Sequence, residues 1–215
     1  MNSLLYTVQI MNSQQKEDTA TLEILQAIES KKDVTQRHLA DKLDVALGLA
    51  NSYLKRCVHK GLIKIHQAPA NRYFYYLTPK GFAEKSRLTT EYLSSSFNFY
   101  RHASASCSDV FKHCHDLGYH KILLCGLSEL AEIASLRARE QGVDIVGTLD
   151  MDTHKKEFLG LPIWSTFDLL PDFDACVVTE LKEPHKLIEY MRTQVDIEIV
   201  FVPEILGIKK DLENN

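Results

Sequence analysis

The sequence predicts an α/β chain in two parts: a small α+β unit of helices closed by a β-hairpin, and, after a linking helix, a parallel sheet interleaved with helices. Three observations predict it. Between Val34 and Leu77, two short amphipathic segments, a glycine and two β-prone runs follow one another at the spacing of a winged helix-turn-helix. Between Tyr100 and Leu117, apolar residues recur at alternating spacings of three and four. From Lys121 onward, buried-strand runs alternate with helical ones. The boundaries read as 16–93 for the winged unit, 94–118 for the linking helix and 119–207 for the sheet.

Residues 1–15 are polar and without pattern. From Thr19, the residues Leu22, Ile24, Leu25 and Ile28 mark one face of a first helix ending near Ser30 to Asp33. Thr35–Leu43 is a second helix, with Leu39, Ala40 and Leu43 on one side. Ala46–Lys60 is a third, with Ala50, Leu54, Cys57 and Val58 on another. Only a sharp turn fits between them, at Asp44 and Val45. Gly61 supplies a left-handed residue past the helix end; Leu62–His66 and Tyr73–Leu77 are then two strands of a wing around the loop Ala68–Arg72.

In a helix-turn-helix the second helix of the motif enters the major groove, and its outward residues meet base edges and phosphates. That assigns DNA contact to Ala46, Gly48, Asn51, Ser52, Lys55 and Arg56, with Thr35 and Gln36 at the start of the preceding helix. Asn51 and Ser52 suit bases, whereas Lys55, Arg56 and the wing's His66, Asn71 and Arg72 suit phosphates or the minor groove. Gly48 costs a helix about 1 kcal/mol against alanine, which fits close approach to another backbone or a tolerated glycine. For any single residue a solvated polar face is the competing reading.

Val34 to Ala40, Leu47, Gly48, Asn51, Leu54, Lys55, Lys60 to Ile63, Tyr76 to Gly81, Glu84, Lys85 and Arg87 to Thr89 together resemble the MarR-type regulators associated with exopolysaccharide gene clusters. The resemblance covers about the first hundred residues. It implies a transcription regulator of cell-surface polysaccharide genes that binds double-stranded DNA.

The charge is divided as that reading requires. Residues 1–92 carry nine Lys and four Arg against nine acids, a balance of +4; twelve basic against twenty acidic residues give −8 in the remainder, and −4 overall. A mildly basic half suits phosphate neutralisation, and so modest an excess calls for a dimer presenting two faces. The chain of 215 residues, 45% hydrophobic, can build two cores. No apolar run reaches membrane-spanning length and the N-terminus lacks a signal-peptide pattern, so a soluble, cytoplasmic protein is expected. The five cysteines are odd in number and lack Cys-x-x-Cys spacing, which argues for reduced apolar fillers.

Thr78 and Pro79 open a helix as N-cap and first helical residue, running to about Leu93, where Ser94–Ser96 interrupts it. The following seam of Tyr100, Ala103, Cys107, Val110, Cys114 and Leu117 wants a partner helix, pointing to a homodimer, or else packs on the chain's own domains. His113, Cys114 and His115 lie about 100° apart around a helix and do not converge on a metal.

Lys121–Cys125 is a buried strand, Gly126–Ala131 a turn into the helix Leu130–Gln141, and Val143–Asp150 a second strand ending in an acid. The alternation continues through Pro162–Trp164, Ala175–Thr179, a helix from Pro184 to Thr193 and Glu198–Phe201. This order is the first half of a Rossmann-like unit, and it places a ligand at Gly126, Leu127, Ser128, Glu129, Asp150 and Thr179. Ser128 stands where the dinucleotide fingerprint has its middle glycine, and Glu129 is able to occupy an anion site itself.

Ile122 to Gly126, Ala131 to Ala134, Ile145 to Asp152 and Phe158 to Trp164 resemble the Rossmann-like domains of nucleotide-sugar acyltransferases and sugar-modifying dehydratases. That resemblance implies a nucleotide sugar as ligand. NAD(H) ranks second, since redox-sensing Rex repressors also join a winged helix to a Rossmann domain. A ligand-free scaffold for dimerisation or a protein partner is the third alternative. No paired carboxylates, catalytic triad or nucleophile elbow stands out, so no enzyme is expected.

Overall fold

A computed structural model describes residues 13–30, 34–68 and 72–208. The chain divides into two compact units, and the division falls between Phe97 and Asn98, inside one continuous helix.

The first unit holds α1 (Ser13–Ser30), α2 (Gln36–Leu43), α3 (Leu47–His59), β1 (Ile63–Ala68), β2 (Arg72–Leu77) and the first half of α4 (Pro79–Asp116). α1 begins six residues earlier than its apolar pattern, because its first turns are polar and carry no hydrophobic mark. The residues 1–12, the Lys31–Asp33 end of the expected first helix and the wing tip 69–71, including Asn71, lie outside the described residues. Thr35 caps α2, its Oγ1 accepting the His38 amide at 3.1 Å. Asp44 ends α2 in the left-handed conformation (φ 51°), which an Asx residue tolerates, and so makes the sharp turn. Gly61 takes φ 72° before β1.

β1 and β2 pair antiparallel, with Ile63 opposite Leu77 and Ile65 opposite Tyr75. One core joins Ile24, Leu25 and Ile28 of α1 to Leu39, Leu54 and Cys57, closed below by Leu62, Ile63 and Tyr75. Thr78 ties the wing to α4: its Oγ1 accepts the Gly81 amide at 2.9 Å and donates to the Gly61 carbonyl at 2.7 Å.

The interruption expected at Ser94–Ser96 is not there. α4 continues through the serines for 38 residues. Serine costs a helix only a few tenths of a kcal/mol against alanine, and both flanks are strongly helical.

The second unit contains the rest of α4, β3 (Lys121–Cys125), α5 (Glu129–Glu140), β4 (Asp144–Leu149), β5 (Glu157–Phe158), β6 (Leu161–Trp164), β7 (Ala175–Val178), α6 (Pro184–Met191) and β8 (Val200–Phe201). The sheet order is β5-β6-β4-β3-β7-β8. All neighbours are parallel except β5, which turns back antiparallel on β6 at the edge. β3 is therefore the switch strand, with the chain winding outward first on one side and then on the other, as a Rossmann-like sheet does. Its side chains alternate between two cores: Ile122 and Leu124 face α5 and the second half of α4, while Leu123 and Cys125 face α6. Both faces being covered, the strand reads as an unbroken apolar run.

The seam along α4 faces this unit's own core. Ala103, Cys107 and Cys114, joined by Phe111, are fully buried against α5 and the sheet, and Val110 packs beside them. It is therefore corrected as a dimer interface: its apolar face is already occupied within the chain. Tyr100 and Leu117, at the two ends, remain exposed. The neighbours of Cys114 turn elsewhere, His113 edge-on to Phe201 and His115 edge-on to His120. All five cysteines are buried and free. Burial pushes the Cys107 and Cys114 thiols up to about 12, which leaves them uncharged and unreactive.

Candidate functional site

α3 buries Ala50, Leu54 and Cys57. At 100° per residue the opposite face presents Gly48, Ser52, Lys55 and His59, flanked by Leu49 and Arg56. The helix contains no acidic residue, and its last turn carries Arg56 and His59, where cations also complement the helix dipole. Lys55 and Arg56 are exposed, and Ser52 is half-buried. Together with His59 and Lys60 these three line an open pocket of about 300 Å³.

His59 and Lys60 are missing from the residues expected at this surface. The signal was present, since His59 follows Lys55 by four and Ser52 by seven, but a helix end read only to its first basic pair hides it.

Ala46 is the N-cap of α3 and exposed. Gly48 is not in close approach to any backbone among the described residues, for a Cβ built on it meets nothing there within 4 Å. Asn51 departs from expectation. It lies at the edge of the buried stripe, 100° round from Ala50, and its Oδ1 is buried without a hydrogen-bond partner among the described residues instead of facing outward. Thr35 spends its hydroxyl oxygen on the α2 cap, and Gln36 is exposed beside it. In the wing His66 is exposed, and Arg72 opens β2 opposite Ala68.

Two of the cations are held by one acid. Arg56 Nη1 donates to Glu17 Oε2 at 2.6 Å and Lys60 Nζ to Glu17 Oε1 at 3.2 Å. The Arg56 guanidinium also lies 5.6 Å from the centre of the Tyr53 ring. The hydrogen bond from Lys60, with the charges of Lys60 and Arg56, holds the Glu17 carboxyl below its ordinary range.

The second expected site lies at the end of β3. The fold does bring Gly126, Leu127, Ser128, Asp150 and Thr179 together, but their polar atoms serve one another. Asp150 Oδ2 accepts the Leu127 amide at 2.7 Å, and its Oδ1 accepts the amides of Asp152 and Thr153 at 3.1 and 2.9 Å. Ser128 caps α5, accepting the Leu130 amide at 3.0 Å and donating to the Thr179 carbonyl at 2.5 Å.

Thr179 does not line a crevice: it is fully buried and donates its hydroxyl to the Gly126 carbonyl at 2.6 Å. Gly126 takes φ 101°, and a Cβ there would stand 2.6 Å from the Glu180 backbone nitrogen. The glycine is thus required by the chain's own packing against the end of β7, before any phosphate is considered. Glu129 is half-buried, with its Oε2 buried and without a hydrogen-bond partner among the described residues.

Residues 17–64 match the family described as winged helix-turn-helix DNA-binding. No curated protein matches the chain. Among solved structures it is similar to MepR, a transcription regulator of the Staphylococcus aureus multidrug efflux pump MepA, at 22% identity and a TM-score of 0.34, over 44% of this chain and 66% of that one. It is also similar to the MarR family transcription regulator SP03579, at 19% identity and 0.34, over 45% and 61%. The chain thus spans less than two thirds of the length of either.

Human N-acetylserotonin methyltransferase in complex with SAM is similar over 92% of this chain and 76% of that one, at 13% identity and a TM-score of 0.35. PigF with SAH is similar over 89% and 56%, at 11% and 0.24. The expectation that no enzyme is involved is corrected by this likeness to a methyltransferase and is withdrawn, although scores this low assign no reaction. Among the described residues no helix is long and apolar enough to cross a membrane. The chain carries a winged helix-turn-helix DNA-binding domain, with MarR-family regulators among its structural neighbours, and a Rossmann-like α/β domain after it.

Proposed function

We propose that this chain is a transcription regulator of MarR type that binds double-stranded DNA as a homodimer through the outward face of α3. The observation that carries the reading is that face itself. Gly48, Ser52, Lys55 and His59 are aligned on an acid-free helix, which is the second of a helix-turn-helix and is followed by an antiparallel wing. Ser52 serves base edges, Lys55 and Arg56 serve phosphates, and exposed Leu49 offers an apolar contact for a thymine methyl.

Two half-sites need two reading heads at fixed spacing. The buried seam cannot hold them together, whereas the first half of α4 presents Phe82, Leu93 and Phe97, exposed and within about 60° of one another around the helix. Surface-polysaccharide genes as the target rest on the motif resemblance of residues 34–89.

For the Rossmann-like domain, the hydrogen bonds of Asp150, Ser128 and Thr179 favour a structural joint over a seat for a nucleotide sugar or NAD(H). The Asp150 carboxylate that would take a ribose hydroxyl already accepts the amides of Leu127, Asp152 and Thr153, and the Ser128 and Thr179 hydroxyls that would donate to a phosphate already donate to the carbonyls of Thr179 and Gly126. The test of DNA binding is Lys55→Ala in fluorescence anisotropy across salt concentrations. The substitution weakens all sequences alike and flattens the log–log salt slope by about 0.9. Binding and slope both unchanged would remove α3 as the reading helix.

A further inference from the structure

We propose that Glu17 is a resident competitor for the DNA backbone phosphate at the basic pocket of α3, and so a residue that sets how selectively this domain binds DNA. The inference rests on the reading of α3 as the DNA-binding helix.

The pocket of about 300 Å³ is lined by one hydroxyl, Ser52, and by Lys55, Arg56, His59 and Lys60. That donor set has the chemistry of an anion seat: three permanent cations, an imidazole and a neutral donor, with no carboxylate among the lining residues. Glu17 reaches it from α1 and presents a planar pair of oxygens, one bonded to Arg56 and the other to Lys60. A phosphate offers oxygens of the same charge to the same donors.

The competition is a real one because the pair is accessible. The side chains of Arg56 and Lys60 are 49% and 52% exposed, and Glu17 is 23% exposed. Both cations sit on long flexible stems, which let them exchange the carboxylate for another acceptor. Lys55 and His59 have no such partner among the described residues and remain available to make first contact.

The consequence is a division of labour. At any random sequence Lys55 supplies attraction while Glu17 engages both Arg56 and Lys60 and cancels one of their two charges, so non-specific binding is held down. Where base contacts seat α3 deeply, the backbone phosphate displaces Glu17 and recruits both cations. Glu17 thereby widens the gap between specific and non-specific affinity, since non-specific binding is almost wholly electrostatic.

The experiment is Glu17→Gln in the full chain, measured by fluorescence anisotropy on a random-sequence DNA duplex over a range of salt concentrations, with circular dichroism confirming the fold. The amide keeps the shape and removes the charge. Binding to the random duplex tightens by about threefold to thirtyfold, the range for two exposed ion pairs released to a new partner. The salt slope steepens by about 0.9 for each cation recruited. In Arg56→Ala/Glu17→Gln the gain is smaller, because one of the two cations is gone.

Weaker binding, or the same binding with the same slope, in a folded Glu17→Gln overturns the proposal and makes Glu17 a structural brace for α3. If the wild-type chain binds no duplex at all, the DNA-binding reading and the proposal fall together; if it binds and only the Glu17 comparison is flat, the proposal falls alone.

Discussion

Replacing Cys114 by aspartate separates the two roles open to the seam on α4. Cys114 is fully buried in the core shared with α5 and the sheet. Its thiol is pushed by that burial from an ordinary 9.0 to about 12, a thousandfold bias against a charge at this position. At about 1.4 kcal/mol per factor of ten, a carboxylate placed there costs the folded state about 4 kcal/mol. The nearby carboxyl end of α4 adds to the cost, since helix C-termini disfavour anions.

The sign of the pH effect follows. Burial raises the pKa of the introduced carboxyl in the folded state above its value in the unfolded chain. The ionisation penalty is therefore absent below the unfolded carboxyl's pKa of about 4 and grows as pH rises towards the raised folded value, on top of a pH-independent cost of burying the polar carboxyl. Trp164, the one tryptophan of the chain, lies in β6 and reports this unit alone. In urea, with fluorescence read at Trp164, Cys114→Asp lowers the unfolding midpoint by about 2 M at pH 8. It lowers the midpoint much less at pH 5, each relative to wild type at the same pH. A variant as stable as wild type at both pH values, and converted from dimer to monomer in sedimentation, would refute the reasoning. The seam would then face a partner, not the chain's own sheet.

Two further outcomes are expected. Asp150→Ala leaves the amides of Leu127, Asp152 and Thr153 without their acceptor, so the melting temperature falls with no ligand present, by the equivalent of about 1–3 kcal/mol. An unchanged melt, combined with loss of a thermal shift given by a nucleotide sugar in the wild type, would restore Asp150 as a ligand residue. Phe97→Asp, at a position 59% exposed, leaves the Trp164 unfolding curve in place and gives a monomer by sedimentation with weakened binding to paired half-sites. Unchanged mass would move the dimer contact away from the first half of α4.

The sequence by itself determined the order of the main elements, though neither the unbroken course of α4 through Ser94–Ser96 nor the edge strand β5. Period-3.6 faces marked α2 and α3, Gly61 and the Thr78–Pro79 pair marked where a helix ended and another began, and the apolar runs marked β3 and β7. Each of these signals is local: a propensity, a cap or a repeat is felt within a few residues of chain. Local signals also identified Ser52, Lys55 and Arg56 as outward, because α3's buried stripe fixes what lies opposite.

Only the tertiary structure decided how those surfaces are used. A heptad-like seam says that a helix has an apolar face but not what covers it, and here α5 and the sheet do. A glycine after β3 fits a ligand's approach as well as the chain's own; the Glu180 backbone, 54 residues on, decides for the chain. The same holds for Asp150, whose acceptors were free in the sequence and are engaged in the fold. It holds for Glu17, 39 residues before the Arg56 that it engages. Partners that far apart meet only when the chain has closed on itself, because a contact between distant residues is set by packing and leaves no periodic trace in the residues that make it.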